Sequence, residues 1–122
     1  MQNEKRIRKI ARGFNPHIVH CHSGRAHSLA YLAFKKDQNV KVILTRRVHF
    51  PIRKNPFTRT KYDFLDSIIC ISKHIMDVVE SSGIPREKCR LIHSGVDLSE
   101  SQGDTKYLEK EFSSSGKKIL LS

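Results

Sequence analysis

Short apolar runs recur along this chain at even spacing, at residues 17–22, 41–46, 67–72, 90–94 and 118–122, with helical patterns between them. That alternation constrains the fold more than any other feature. The cores of the second and third runs, VIL and IICI, are rich in β-branched residues and show little polar alternation. Strands buried on both faces, as in a parallel sheet, read this way. Residues 4–12 put Ile7, Ile10 and Ala11 on one face, with Asn3 as the expected N-cap and Gly13 as the stop before Asn15-Pro16. Residues 24–36 group Ala26, Leu29, Ala30 and Ala33 behind a Ser23 cap, with Lys35 and Lys36 in the last turn. Residues 73–82 carry Ile75, Val78 and Val79 after Ser72 and stop at Gly83-Ile84-Pro85 in a Schellman-like turn. Asn55-Pro56 suits the start of a short helix bearing Phe57 and Tyr62, and residues 104–112 suit another.

Strand–helix alternation of this kind predicts βαβ units in a doubly wound α/β fold with a parallel sheet. A lone helix precedes the first strand, and the last run ends at Ser122 with no partner, so the expectation is a chain truncated at both ends. The 122 residues suffice for one domain with a modest core. Cys21, Cys70 and Cys89 are widely spaced without a CxxC pair, which predicts reduced thiols in a reducing cytoplasm. No apolar run reaches membrane-spanning length, and Lys5, Arg6, Arg8, Lys9 and Arg12 break up any signal-peptide core. The expected protein is cytoplasmic, or peripheral at the inner face of the cell membrane.

Ligands of a parallel sheet bind outside the carboxyl ends of its strands. Those ends carry His22-Ser23-Gly24-Arg25, Thr45-Arg46-Arg47-Val48-His49, Ser72-Lys73-His74 and His93-Ser94-Gly95-Val96-Asp97. All four are polar and rich in cations or imidazoles, and Ser23-Gly24 at a helix start offers free N–H groups to an anion. With a net charge of +11, this rim predicts an anionic or polyhydroxylated ligand.

Sharper alternatives are weaker. His20-Cys21-His22 sets two imidazoles on one strand face, but no third ligand stands at a metal-site spacing. The plainer expectation packs His20 in the strand and sends His22 to the rim. The basic stretch with Arg46, Arg47, Arg53, Lys54, Arg59 and Lys61 includes Phe50, Phe57 and Tyr62, which could stack on nucleic-acid bases. A solvated or membrane-facing loop accounts for the same residues. No nucleophile elbow, GxGxxG or Walker loop occurs.

Four segments resemble the family 4 glycosyltransferases, which have two facing Rossmann-like domains (the GT-B architecture). They are NPHIVHCHSGRAHSLAYLA, VKVILTRRVHFP, FLDSIICISKHIMDVVESSGIPREKCRLIHSGVD and GKKILLS. The third is the most specific, because a strand, a Ser-capped helix, a Gly stop, a second strand and a Gly-Val-Asp turn occur in register. The resemblance implies a partial N-terminal, acceptor-side domain over residues 1–112. Residues 113–122 would be a linker and the first strand of a donor-binding domain. It further implies a retaining, metal-independent transfer of a hexose-type sugar to a lipid-linked or polysaccharide acceptor, as in lipopolysaccharide or polysaccharide biosynthesis. A nucleotide-sugar would be the co-substrate, with no resident cofactor.

By the same resemblance, His49 or Arg47 lies near the transferred sugar. Ser23, Gly24, Arg25, Thr45, Arg46, Gly95 and Asp97 bind substrate. The motif reads TRRVH rather than a simple Thr-His, and the donor domain's glutamate pair has no counterpart in these residues. No turnover is therefore expected from this polypeptide alone. Expected partners are the nucleotide-sugar, an acceptor glycan or glycolipid, an anionic membrane surface, and other chains through unpaired sheet edges. The rival expectation is a non-catalytic basic module for a phosphate-containing ligand or nucleic acid; a third is a functionless product of a frameshifted reading frame.

Overall fold

The computed structural model describes residues 2–37 and 39–95. In chain order they form helix α1 (Gln2–Phe14), strand β1 (Ile18–Cys21), helix α2 (Gly24–Phe34), strand β2 (Lys41–Arg46), helix α3 (Pro56–Asp63), strand β3 (Ser67–Cys70), helix α4 (Lys73–Ser81), a 3-10 turn (Arg86–Lys88) and strand β4 (Cys89–Leu91). The sheet is parallel throughout, in the order β1-β2-β3-β4. This is the expected α/β, Rossmann-like arrangement of parallel strands and alternating helices; the order runs one way, so the reversal that defines a doubly wound sheet does not occur among the described strands. The proposed boundary at residues 112 and 113, the helix at 104–112, the strand at 118–122 and Asp97 lie outside the described residues.

The central strands supply the core. Val42, Leu44, Ile68 and Cys70, two apart in their strands and so on one sheet face, are at most 2% exposed. Ile43 and Ile69 on the other face are half-buried, so the burial on both faces expected from the sequence is complete on one face only. Ala30, Ala33 and Phe34 of α2 and Ile75, Met76 and Val79 of α4 join them, and α1 packs on α2 through Ile7 and Ala11. The register begins with a side-chain clamp before β3. The Asp66 N–H donates to the Val42 carbonyl at 3.0 Å, while its Oδ2 accepts the Val42 N–H at 2.8 Å. Lys41 pairs with the other carboxylate oxygen at 3.0 Å. Burial alone would raise the Asp66 pKa, but the Val42 N–H and Lys41 outweigh it and hold it below the usual value.

Several local expectations need correction. Asn3 lies inside α1 rather than capping it, and the helix passes through Gly13 to Phe14 before Asn15 takes the left-handed conformation (φ 49°). The inward face of α2 is turned by one residue. His27 is fully buried while Ala26 and Leu29 are half-buried, and the helix ends at Phe34, before Lys35 and Lys36. The fourth strand starts at Cys89, one residue early, because the 3-10 turn brings that thiol under the sheet. All three cysteines are buried free thiols. Burial raises their pKa values, that of Cys70 to about 11, so they behave as small apolar groups rather than nucleophiles.

Candidate functional site

In-register pairing brings the strand ends to one edge: Cys21 lies opposite Leu44, Arg46 opposite Cys70, and Cys70 opposite Leu91. The loops that follow therefore open on the same side. Two serines start helices there with nearly the same geometry, Ser23 at φ −150°, ψ 159° and Ser72 at φ −148°, ψ 159°. The Ser23 hydroxyl accepts the Ala26 N–H at 3.1 Å, and the Ser72 hydroxyl accepts the Ile75 N–H at 3.3 Å. Each first turn thus keeps its two leading N–H groups without an intrahelical acceptor, directed at the edge. Gly24 has open space where a Cβ would stand, so backbone is accessible there.

Imidazoles link the strands along this edge. His20 Nε2 lies 2.7 Å from the Thr45 hydroxyl, joining β1 to β2, and its ring lies 4.2 Å from that of His22. His20 is exposed, not packed in the strand as expected, because it shares the partly covered sheet face with Ile18 and Ile43, whereas Cys21 on the other face of the same strand is buried. Partial burial and then the neighbouring His22 lower its pKa. His49 stands with its ring 4.6 Å from Phe50 and 6.5 Å from His74 at the start of α4. The His93 ring hydrogen-bonds the Ile71 carbonyl at 3.1 Å, tying the chain after β4 to the end of β3. Arg25, Arg47, His49 and Gly95 are exposed.

Two expected ligand residues sit further back. Thr45 is 6% exposed, with its hydroxyl committed to His20. Arg46 is 9% exposed and points into the domain, where it donates to the Tyr62 hydroxyl at 3.0 Å and to the Phe50 carbonyl. Alternation along a strand sends neighbouring side chains to opposite faces, so Thr45 and Arg46 do not share an outlook. Arg46 instead pins the 47–52 loop that carries Arg47 and His49. Among the described residues, no group of three His, Cys, Asp or Glu side chains is arranged to hold a metal.

Two hollows lie away from the edge. One of about 680 Å³ sits at the opposite, amino-terminal end of the strands, between α1 and the end of α2. Another of about 450 Å³ lies between the start of α3 and Gly83. Neither includes an edge residue. The edge is the stronger candidate, because it gathers the groups able to bind and polarise a ligand at the position where parallel sheets bind one.

His74 and His93 already stood in the polar rim read from the sequence; His20, expected to pack in its strand, is the addition, and its signal was its place one residue before the end of β1. No helix among the described residues is long and apolar enough to cross a membrane. No curated protein matches the chain. The sequence model of Glycosyltransferase Family 4 matches residues 1–100, which include all of the described fold and its polar edge. The chain belongs to glycosyltransferase family 4.

Proposed function

We propose that this chain forms the acceptor-side wall of a retaining glycosyltransferase that moves a sugar from a nucleotide-sugar to a lipid-linked or polysaccharide acceptor. The observation that carries the reading is the single edge where Ser23, Arg25, Arg47 and His49 gather, in a chain of this family. In such a transfer an acceptor hydroxyl oxygen bonds to the anomeric carbon. The bond from that carbon to the donor phosphate oxygen breaks, and the nucleoside diphosphate leaves with the electron pair and takes up the hydroxyl proton. His49 and Arg47 are assigned beside the transferred sugar, where a donor or cation steadies developing negative charge. Ser23, Gly24, Arg25, Gly95 and Asp97 are assigned to substrate binding, and Thr45 and Arg46 to holding His20 and the 47–52 loop. No metal or other cofactor is assigned. The net charge of +11 suits an anionic membrane surface at the cytoplasmic face.

The described edge is open to solvent, whereas transfer needs a site that excludes water. The purified chain is therefore expected to bind acceptor-type glycans without transferring sugar. Imidazole NMR signals of His22 and His49 should shift on adding such a glycan, while a radiolabelled nucleotide-sugar assay stays at background. Transfer by the chain alone would defeat the binding-only part. Silence of those imidazoles toward every glycan, neutral or phosphorylated, would defeat the acceptor assignment. The second reading, a basic module for nucleic acid, is favoured by exposed Phe50 and Phe57 among Arg53, Lys54 and Arg59. It requires oligonucleotide affinity that falls steeply with salt and is unmoved by glycans.

A further inference from the structure

The polar edge has a charge imbalance that membership of the family does not explain. Residues 20–25, 45–50, 71–76 and 91–95 hold five histidines, three arginines and a lysine, and neither Asp nor Glu; Asp97, the one carboxylate of the rim read from the sequence, lies outside the described residues. Among the described residues, carboxylates pair with cations elsewhere: Glu4 with Arg8, Asp66 with Lys41, Asp63 with Arg59, and Glu80 with Arg86. Among the described residues no ion pair engages Arg25, Arg47 or Lys73, and Asp77, further along α4, forms none either. The edge imidazoles meet one another instead, His20 with His22 at 4.2 Å and His49 with His74 at 6.5 Å.

Cations that share one edge without a carboxylate partner repel, and an anion relieves that repulsion. Their directions suggest what kind of anion. Arg25 comes from α2, Arg47 from the loop after β2, and Lys73 from the start of α4, so donors approach from three elements. A planar carboxylate is matched by a single guanidinium fork, whereas a tetrahedral phosphate presents oxygens in several directions. The paired serine-capped first turns add backbone N–H groups to the same field.

Resting on the acceptor-side reading above, we infer that the acceptor bound at this edge carries a phosphate monoester, held among Arg25, Arg47 and Lys73. A lipid headgroup and a soluble sugar phosphate share that chemistry. The test uses the full chain with glucose 6-phosphate, glucose, and phosphatidylcholine vesicles with or without phosphatidic acid. Glucose 6-phosphate or the phosphatidic acid vesicles should bind at least about tenfold more tightly than the matching neutral probe. Whichever does so identifies the source. Substitution of Arg47→Gln with Lys73→Gln should weaken that binding about fivefold or more, and Arg25→Gln should act in the same direction. All three side chains are exposed, so folding, read by circular dichroism, should persist.

Lys5→Gln with Lys9→Gln, on the exposed face of α1, should leave the binding unchanged. Equal losses from the α1 and edge variants would reduce the effect to general charge and overturn the inference. Glucose bound at the edge as tightly as its phosphate would also overturn it while leaving the acceptor reading intact. No binding of any probe at the edge would overturn both.

Discussion

His27 is a titratable side chain with no exposed surface. Its Nε2–H donates to the Lys61 carbonyl at 2.9 Å, and its ring meets that of Tyr62 edge-on at 5.0 Å. The carbonyl can only accept, so Nδ1 is the bare nitrogen, buried without a partner among the described residues. Burial, opposed by the Lys61 carbonyl and reinforced by the Lys61 charge, lowers the pKa to about 4. The folded value lies below the unfolded one, so the unfolded chain binds more protons between about 4 and 6.5. Stability should therefore fall as pH drops through that window, by about 2 kcal/mol between pH 7 and pH 5. Urea unfolding at the two pH values measures it, and His27→Gln should remove most of the difference. Helical periodicity located the inward face of α2 to within one residue. It could not identify a histidine as core, because the carbonyl that satisfies it lies 34 positions away in sequence. Arg46 has the same history. Its place at a strand end marked it as a ligand residue, and only the fold shows Tyr62 beside it.

Elements were legible from the sequence where their signals are local. Ser23, Asn55 and Ser72 cap the helices they were expected to cap, each accepting the N–H three residues on. Gly83 ends α4 at φ 89°, with its N–H on the Glu80 carbonyl at 2.9 Å and that of Ile84 on the Val79 carbonyl at 3.5 Å. This is the Schellman arrangement, and buried Ile84 and Val79 supply its apolar contact. Gly13 was misread as an equivalent stop. Both Gly13 and Asn15 stand near the end of α1, but Asn15 takes the left-handed turn, its N–H on the Ala11 carbonyl at 2.7 Å. The two glycines should therefore respond oppositely to alanine. Gly83→Ala should destabilise by about 1–2 kcal/mol, since a Cβ opposes a left-handed backbone even though the nearest atom, on Arg59, is at an ordinary 3.4 Å. Gly13→Ala should stabilise by up to about 1 kcal/mol, because the site is helical and open. Thermal unfolding of the pair decides the matter, and shifts of the same sign would contradict this account of where each helix ends.

At the scale of the whole molecule, apolar run spacing was enough to specify a parallel sheet, but not how each strand is covered. The face matters first: Val19 and Cys21 of β1 share the face of Val42 and Leu44 and are half-buried and buried, while Ile18, on the opposite face with Lys41 and Ile43, is 59% exposed. Position in the sheet matters next. Among the described strands β2 has neighbours on both sides and β1 has one, so the outer backbone of β1 lacks ladder partners. Ile10 and Phe14 of α1, 71% and 79% exposed, add further apolar surface that the described residues leave open. No lysine or proline within Ile18–Cys21 blocks strand addition, in contrast to the usual protection of edges. The chain is therefore expected to associate through β1 as its concentration rises. Ile18→Lys should suppress that association without unfolding the domain, because the side chain is already largely in water. Sedimentation velocity across a wide concentration range is the measurement. A sedimentation coefficient that rises with concentration equally in both proteins would place the contact elsewhere. Association through β1 would also bring a second polypeptide beside His20 and His22, so the Ile18→Lys chain should keep their NMR signals constant where those of the parent shift with concentration.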